Sequence, residues 1–186
     1  HQRLGRGHAP GPSTPSREIG TMLKRYALGD LTQELASTRR VIEAIPEEHW
    51  NWSPHEKSMT AAGLATHLAN IVSWMREILR APEFDLANIP MSSDAFPDPQ
   101  TALEEFDRRV GEVEEALAAV EDDVLKEEWT LRRGDTVMYK QPKVAALRTF
   151  GLSHMIHHRG QLTVYLRLLH APVPGVYGPS ADEMQG

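Results

Sequence analysis

The chain has 186 residues, of which 40% are hydrophobic and 25% charged, and its net charge is −6. That length suits one domain around a single core, and the composition is that of a globular protein, not a disordered one. The acidic balance argues against a nucleic-acid partner, because no basic stripe concentrates the Lys and Arg.

There is no cysteine. Disulfides, thiolate ligands and a protein-borne thiol nucleophile are therefore excluded, and a reducing cytoplasm is the natural setting. No apolar run nears the roughly 20 residues that span a bilayer, so no membrane association is expected, and the first residues lack the apolar centre of a signal peptide.

Residues 1–20, HQRLGRGHAPGPSTPSREIG, are rich in Gly, Pro, Ser and Arg and show no periodicity. They read as a flexible extension, with Met22 as an alternative first residue. His1 and His8 are excluded from any site on that ground.

From about Thr21 the pattern is helical. Leu28, Leu31, Leu35, Thr38, Ile42 and Ile45 recur at spacings of three and four along one face, and Pro46 ends the helix. The segment PEEHWNWSPHEKS has no clear period and reads as a loop with apolar anchors. Ser58 or Thr60 can cap the second helix, whose stripe is Leu64, Leu68, Ile71, Met75, Ile78 and Leu79. His67 lies three residues after Leu64 and four before Ile71, so it faces inward.

Pro82 closes that helix, and a long connection runs to about Pro99. A third helix is predicted over about 100–121, with Leu103, Phe106, Val110, Val113, Leu117 and Val120 on one side. In EEWTLRRGDTVMYKQ, short alternating runs flank Gly134-Asp135 and predict a small hairpin. The fourth helix reads from about Pro142 to His170, with Leu147, Phe150, Gly151, His154, His158, Leu162 and Tyr165 along one side. The segment APVPGVYGPS reads as irregular chain packing back. The expected architecture is an all-α four-helix bundle over residues 21–178, followed by a tail at 179–186. Bundle cores are a usual place for metal sites.

The chemistry concentrates in SHMIHHRGQL. His154 and His158 are four residues apart, so their imidazoles lie one above the other on a helix face, close enough to hold one ion. His67 supplies a third inward imidazole, and three neutral imidazoles leave metal positions open, as in catalytic zinc sites. The motif is not H-E-x-x-H, because position 155 is Met and no Glu lies between the histidines as a base; peptide hydrolysis is not expected.

His157 sits about 100° around the helix from His158 and reads as a neighbouring or surface residue. Arg159 can pair with a carboxylate on another helix or bind an anionic substrate group. Gly160 is expected to permit close helix packing, and Gln161 to hydrogen-bond near the ligands. Trp50, Trp52 and Trp74 can line a pocket or fill the core. His49, His55 and His170 have no assignable partner. The acidic run EEFDRRVGEVEEALAAVEDD reads as a solvated helix face.

The inward His in AAGLATHLANI, followed by HMIHHRGQLTVYLRLLHAPVPGVYG, resembles the DinB/YfiT-like metalloenzyme superfamily. The likeness runs from about Thr21 to Gly178 and includes WNWSPHEKSMTAAGLATH ahead of the first ligand. It implies a four-helix bundle with a divalent metal held by His67, His154 and His158. Characterised relatives include thiol S-transferases that use low-molecular-weight thiols, and mycothiol-dependent isomerases.

The residues and the resemblance together lead to an open divalent centre, with zinc, nickel or iron as the candidate ions. Two functions are expected as alternatives: a thiol-dependent S-transferase-type enzyme acting on a small electrophile, or a non-catalytic metal- or ligand-binding stress-response protein. A homodimer is also expected.

Overall fold

A computed structural model describes residues 23–89 and 94–185. The extension expected at 1–20, with His1 and His8, lies outside the described residues.

The first helical pattern is interrupted. Residues 23–28 are helical, a turn follows at 29–30, and α1 then runs over Leu31–Glu43. A Cβ at Gly29 would lie too close to the Arg25 carbonyl for any side chain, which explains glycine at the break. The predicted stripe from Leu28 to Ile45 is nevertheless buried at every position.

Helix α2 spans Ala61–Arg80, and the Thr60 side chain caps it by accepting from the Gly63 N–H at 3.0 Å. Its six predicted stripe residues are all buried. Helix α3 spans Pro99–Ala119, with Asp98 accepting from the Thr101 N–H at 2.7 Å and Pro99 in the first turn. Only Ala102, Phe106 and Val113 of α3 are buried, so this helix lies on the outside of the core.

The expectation of one unbroken fourth helix is corrected. A short α5 at Lys143–Ala146 passes into a π-helical segment at Leu147–Ser153, and α6 follows at His154–Leu168. His170 has φ 56°, a left-handed conformation that stops the helix. Packing closes a ring, in which α1 touches α3, α3 touches α2, α2 touches α6 and α6 returns to α1.

The all-α expectation is also corrected. The chain is mostly helical, but it carries a three-stranded mixed sheet in the order β1-β2-β3. The predicted hairpin is β2 (Glu128–Arg133) and β3 (Thr136–Pro142), antiparallel around Gly134, whose φ of 55° suits glycine. The unforeseen strand is β1 (Glu83–Asp85), parallel to β2. It is three residues long, too short to leave a period in the sequence, and tertiary contacts hold it: the Asp85 carboxylate accepts from the Gly134 N–H at 2.9 Å and meets Arg132 at 3.1 Å. A five-residue helix, α4 (Asp122–Lys126), joins α3 to the sheet. Among the described residues no helix is long and apolar enough to cross a membrane.

Candidate metal centre

Two helices bring the three predicted histidines together. His67 sits in the first half of α2, His154 opens α6, and His158 lies one turn further on. The Nε2 atoms of His67 and His154 are 3.2 Å apart, and those of His154 and His158 are 2.9 Å apart. Each of the three rings is partly buried, and together they form a group able to hold one metal ion.

These distances fit a shared ion. Two nitrogens about 2.1 Å from one ion would be about 3.0 Å apart at a right angle and about 3.4 Å apart at a tetrahedral angle. The hydrogen bonding agrees. His158 Nδ1 donates to Gln161 Oε1 at 2.7 Å, and the His154 ring hydrogen-bonds the Phe150 backbone. His158 is thereby left with a bare lone pair on Nε2, aimed at the neighbouring Nε2 atoms, where a cation relieves the repulsion. Burial pushes the His67 imidazole down to about 4, with His158 and His154 adding to the effect. Burial likewise lowers His154 and His158. All three rings are neutral at pH 7 and available as ligands.

The π-helical segment aims His154. Its N–H donates to the Thr149 carbonyl, five residues back, so the extra residue in the turn rotates the start of α6 relative to α5. Gly151, in that segment, lies against Met75 of α2; a Cβ there would be 2.7 Å from Met75 Cγ. Such close contact sets the separation of the helices carrying His67 and His154.

Trp74 is the aromatic neighbour of the triad. Its ring stacks on His154 with centroids 6.1 Å apart and meets His67 edge-on at 5.4 Å. Beside it lies a cavity of about 230 Å³ lined by Trp74, Ile78, Phe84, Leu86, Trp129, Leu131, Phe150 and His154. Reading the sequence singled out Trp74 but missed Phe84, Trp129 and the role of the sheet. The alternation in EEWTLRR places Trp129 and Leu131 on one strand face, and this was the available signal.

The other expectations divide. Trp50 is core: its Nε1 donates to the Phe96 carbonyl at 2.8 Å. Trp52 packs edge-on against Tyr165, whose hydroxyl donates to the Met59 carbonyl. Gln161 bonds a ligand as expected. His157 is exposed and outside the ligand group, although its ring lies 4.8 Å from that of His158. Arg159 is paired with Glu34 in the interior. The expectation for Gly160 is corrected, since among the described residues a Cβ there would meet nothing within 4 Å outside its own helix. His49, His55 and His170 are not part of the ligand group.

Residues 28–186 match the model of the DinB family. The chain belongs to the DinB family. A curated relative, the uncharacterised protein YrdA of Bacillus subtilis (strain 168), is 39% identical over 62 residues. That match spans 32% of this chain and 37% of YrdA, so the chain covers just over a third of that relative.

Two solved structures are similar in fold. A DinB-like protein from Bacillus cereus ATCC 10987 has a TM-score of 0.59 at 23% identity, covering 81% of this chain and 95% of that one. The DinB-like protein YjoA from Bacillus subtilis has a TM-score of 0.64 at 18% identity, covering 83% and 98%. The DinB fold of this chain therefore holds its three-histidine group on two adjoining helices.

Proposed function

We propose that this DinB-family chain is a metal-dependent transferase that joins an external low-molecular-weight thiol to a small electrophile. The observation that carries the reading is the convergence of three neutral Nε2 atoms beside an apolar cavity, with His154 belonging to both.

His67, His154 and His158 would hold the ion, and zinc, nickel and iron all suit imidazole ligands. A divalent ion bound by three imidazoles keeps positions for an exogenous ligand and favours the thiolate form of a thiol placed there. Gln161 and the Phe150 backbone fix the orientation of two ligand rings. Trp74 covers one flank of the triad, in contact with the rings of His154 and His67. The chain has no cysteine, so the sulfur nucleophile comes from a cosubstrate. The transfer is redox-neutral: a carbon–sulfur bond forms, the bond from carbon to its leaving group breaks, and the thiol proton passes to solvent with the leaving anion. The ligand group contains no carboxylate, which disfavours a hydrolase that needs a carboxylate base.

The test begins with elemental analysis of protein purified without a metal-affinity step. The loaded protein is then incubated with a panel of low-molecular-weight thiols and 1-chloro-2,4-dinitrobenzene while chloride release is followed. Expected are about one ion per chain and thiol-dependent release that stops on chelation. Stoichiometric metal without turnover by any thiol would identify a non-catalytic binding protein instead. Absence of metal would remove the centre altogether.

A further inference from the structure

The cavity beside the triad is built from carbon. Trp74 comes from α2, Phe84 from β1, Trp129 and Leu131 from β2, and Phe150 from the π-helical segment, so helices and sheet close around it from opposite sides. The rings are arranged in tilted pairs, with Trp74 and Phe84 at 6.2 Å and Trp129 and Phe150 at 5.8 Å. Trp74, Phe84, Leu86 and Phe150 are only half-buried, which leaves a route in from solvent. Among the described residues no charged side chain lines the cavity, and His154 is the one titratable residue there.

We infer that this cavity is the acceptor subsite and takes an uncharged, apolar group the size of a substituted benzene ring, with its reactive end beside His154. The volume sets the size. A protein cavity of about 150 Å³ lined by aliphatic and aromatic side chains holds benzene, and about 230 Å³ leaves room for a substituent. The lining sets the chemistry: its surface is almost wholly apolar, so a carboxylate, phosphate or sugar entering the metal-free cavity would lose most of its hydration for few partners. Aromatic walls favour a flat ring through edge-to-face and offset contacts. The orientation follows from His154, which is shared by cavity and triad; this orientation and the role as acceptor site rest on the transferase reading, whereas the preference for an uncharged aromatic group does not.

The mixed sheet thereby acquires a function. It supplies Phe84, Trp129 and Leu131, the wall facing α2, which a purely helical chain would lack.

Binding is measured by fluorine NMR on chelator-treated protein and on zinc-loaded protein, with 4-fluorotoluene as the probe and 4-fluorobenzoate as its charged counterpart. Saturable binding of 4-fluorotoluene is expected in both forms, and in the chelator-treated form it is at least tenfold tighter than that of 4-fluorobenzoate, whose carboxylate would otherwise coordinate zinc. Leu86→Trp, which fills the cavity from its rim, should weaken 4-fluorotoluene at least tenfold and leave zinc stoichiometry unchanged. Leu131→Phe fills it from the sheet side and replaces Leu86→Trp if that variant does not fold.

Equal binding of the two probes to the chelator-treated protein, or unchanged 4-fluorotoluene affinity in the filled variant, would overturn the inference. The transferase reading fails separately: 4-fluorotoluene binding that persists in a protein with no thiol turnover sinks that reading and leaves an apolar binding site without an acceptor role.

Discussion

Arg159 Nη1 lies 2.5 Å from Glu34 Oε2, and both side chains are sealed from solvent between α6 and α1. The Arg159 Nη2 also donates to the Tyr177 hydroxyl at 2.7 Å, and that hydroxyl donates to Glu34 Oε2 at 3.1 Å. The residue next to His158 is thus committed to holding two helices and the C-terminal segment together.

Removing one partner leaves the other charge buried without compensation. Arg159→Met is expected to cost about 3–5 kcal/mol, and Glu34→Leu a similar amount. The double variant should recover most of the loss, since neither buried charge remains. Urea melts of the four proteins measure this, and a double variant as unstable as the sum of the singles would contradict it.

Gln161 is outside the three-histidine group and touches it through His158. Gln161→Leu should leave folding unchanged and weaken metal affinity about 10–100-fold, because the imidazole loses its orienting acceptor. His154→Ala should abolish stoichiometric binding. Competition against a chelator of known affinity separates the three proteins.

Gly151 is required by its contact with Met75. Gly151→Ala should cost about 1–3 kcal/mol by overpacking the α2 contact. The substitution should couple with Met75→Ala, so that the double variant is less destabilised than the sum of the singles. Thermal melts give the coupling, and strict additivity would show that the contact is not what demands glycine.

The C-terminal segment is held by acids. Arg167 first, and then the Val173 N–H, keep Asp182 below its ordinary value of 3.8. The Gly175 and Ser180 N–H groups keep Glu183 below 4.5. A folded-state value below the unfolded one means a stabilising contribution that is complete above those ordinary values and is lost as pH falls beneath them. The clasp should open as pH falls beneath those ordinary values, seen as lower protection factors (exchange relative to the unstructured rate at the same pH) at Val173, Gly175 and Ser180. Asp182→Asn should accelerate exchange at Val173 already at pH 7.

Much of this was legible beforehand because it depends on local periodicity. The stripes of α1 and α2 are buried where their spacing of three and four predicted, and His67, His154 and His158 meet because each lies on such a stripe. Gly134 marked the hairpin through its conformational freedom. Other features were not local. Strand β1 is three residues long and exists through its pairing with β2. The π-helical turn looks α-helical in sequence, because one extra residue per turn hardly alters an apolar pattern. Gly160 resembled a packing glycine, yet among the described residues nothing outside its own helix approaches its Cβ position.

The sequence by itself determined the three inward imidazoles, the buried stripes of α1 and α2 and the absence of cysteine, since all of these follow from residue identity and helical period. Only the tertiary structure decided the cavity beside His154, the partner of Arg159 and the Nε2 separations near 3 Å. Each depends on side chains from segments far apart in the chain, and their meeting is set by packing rather than by spacing.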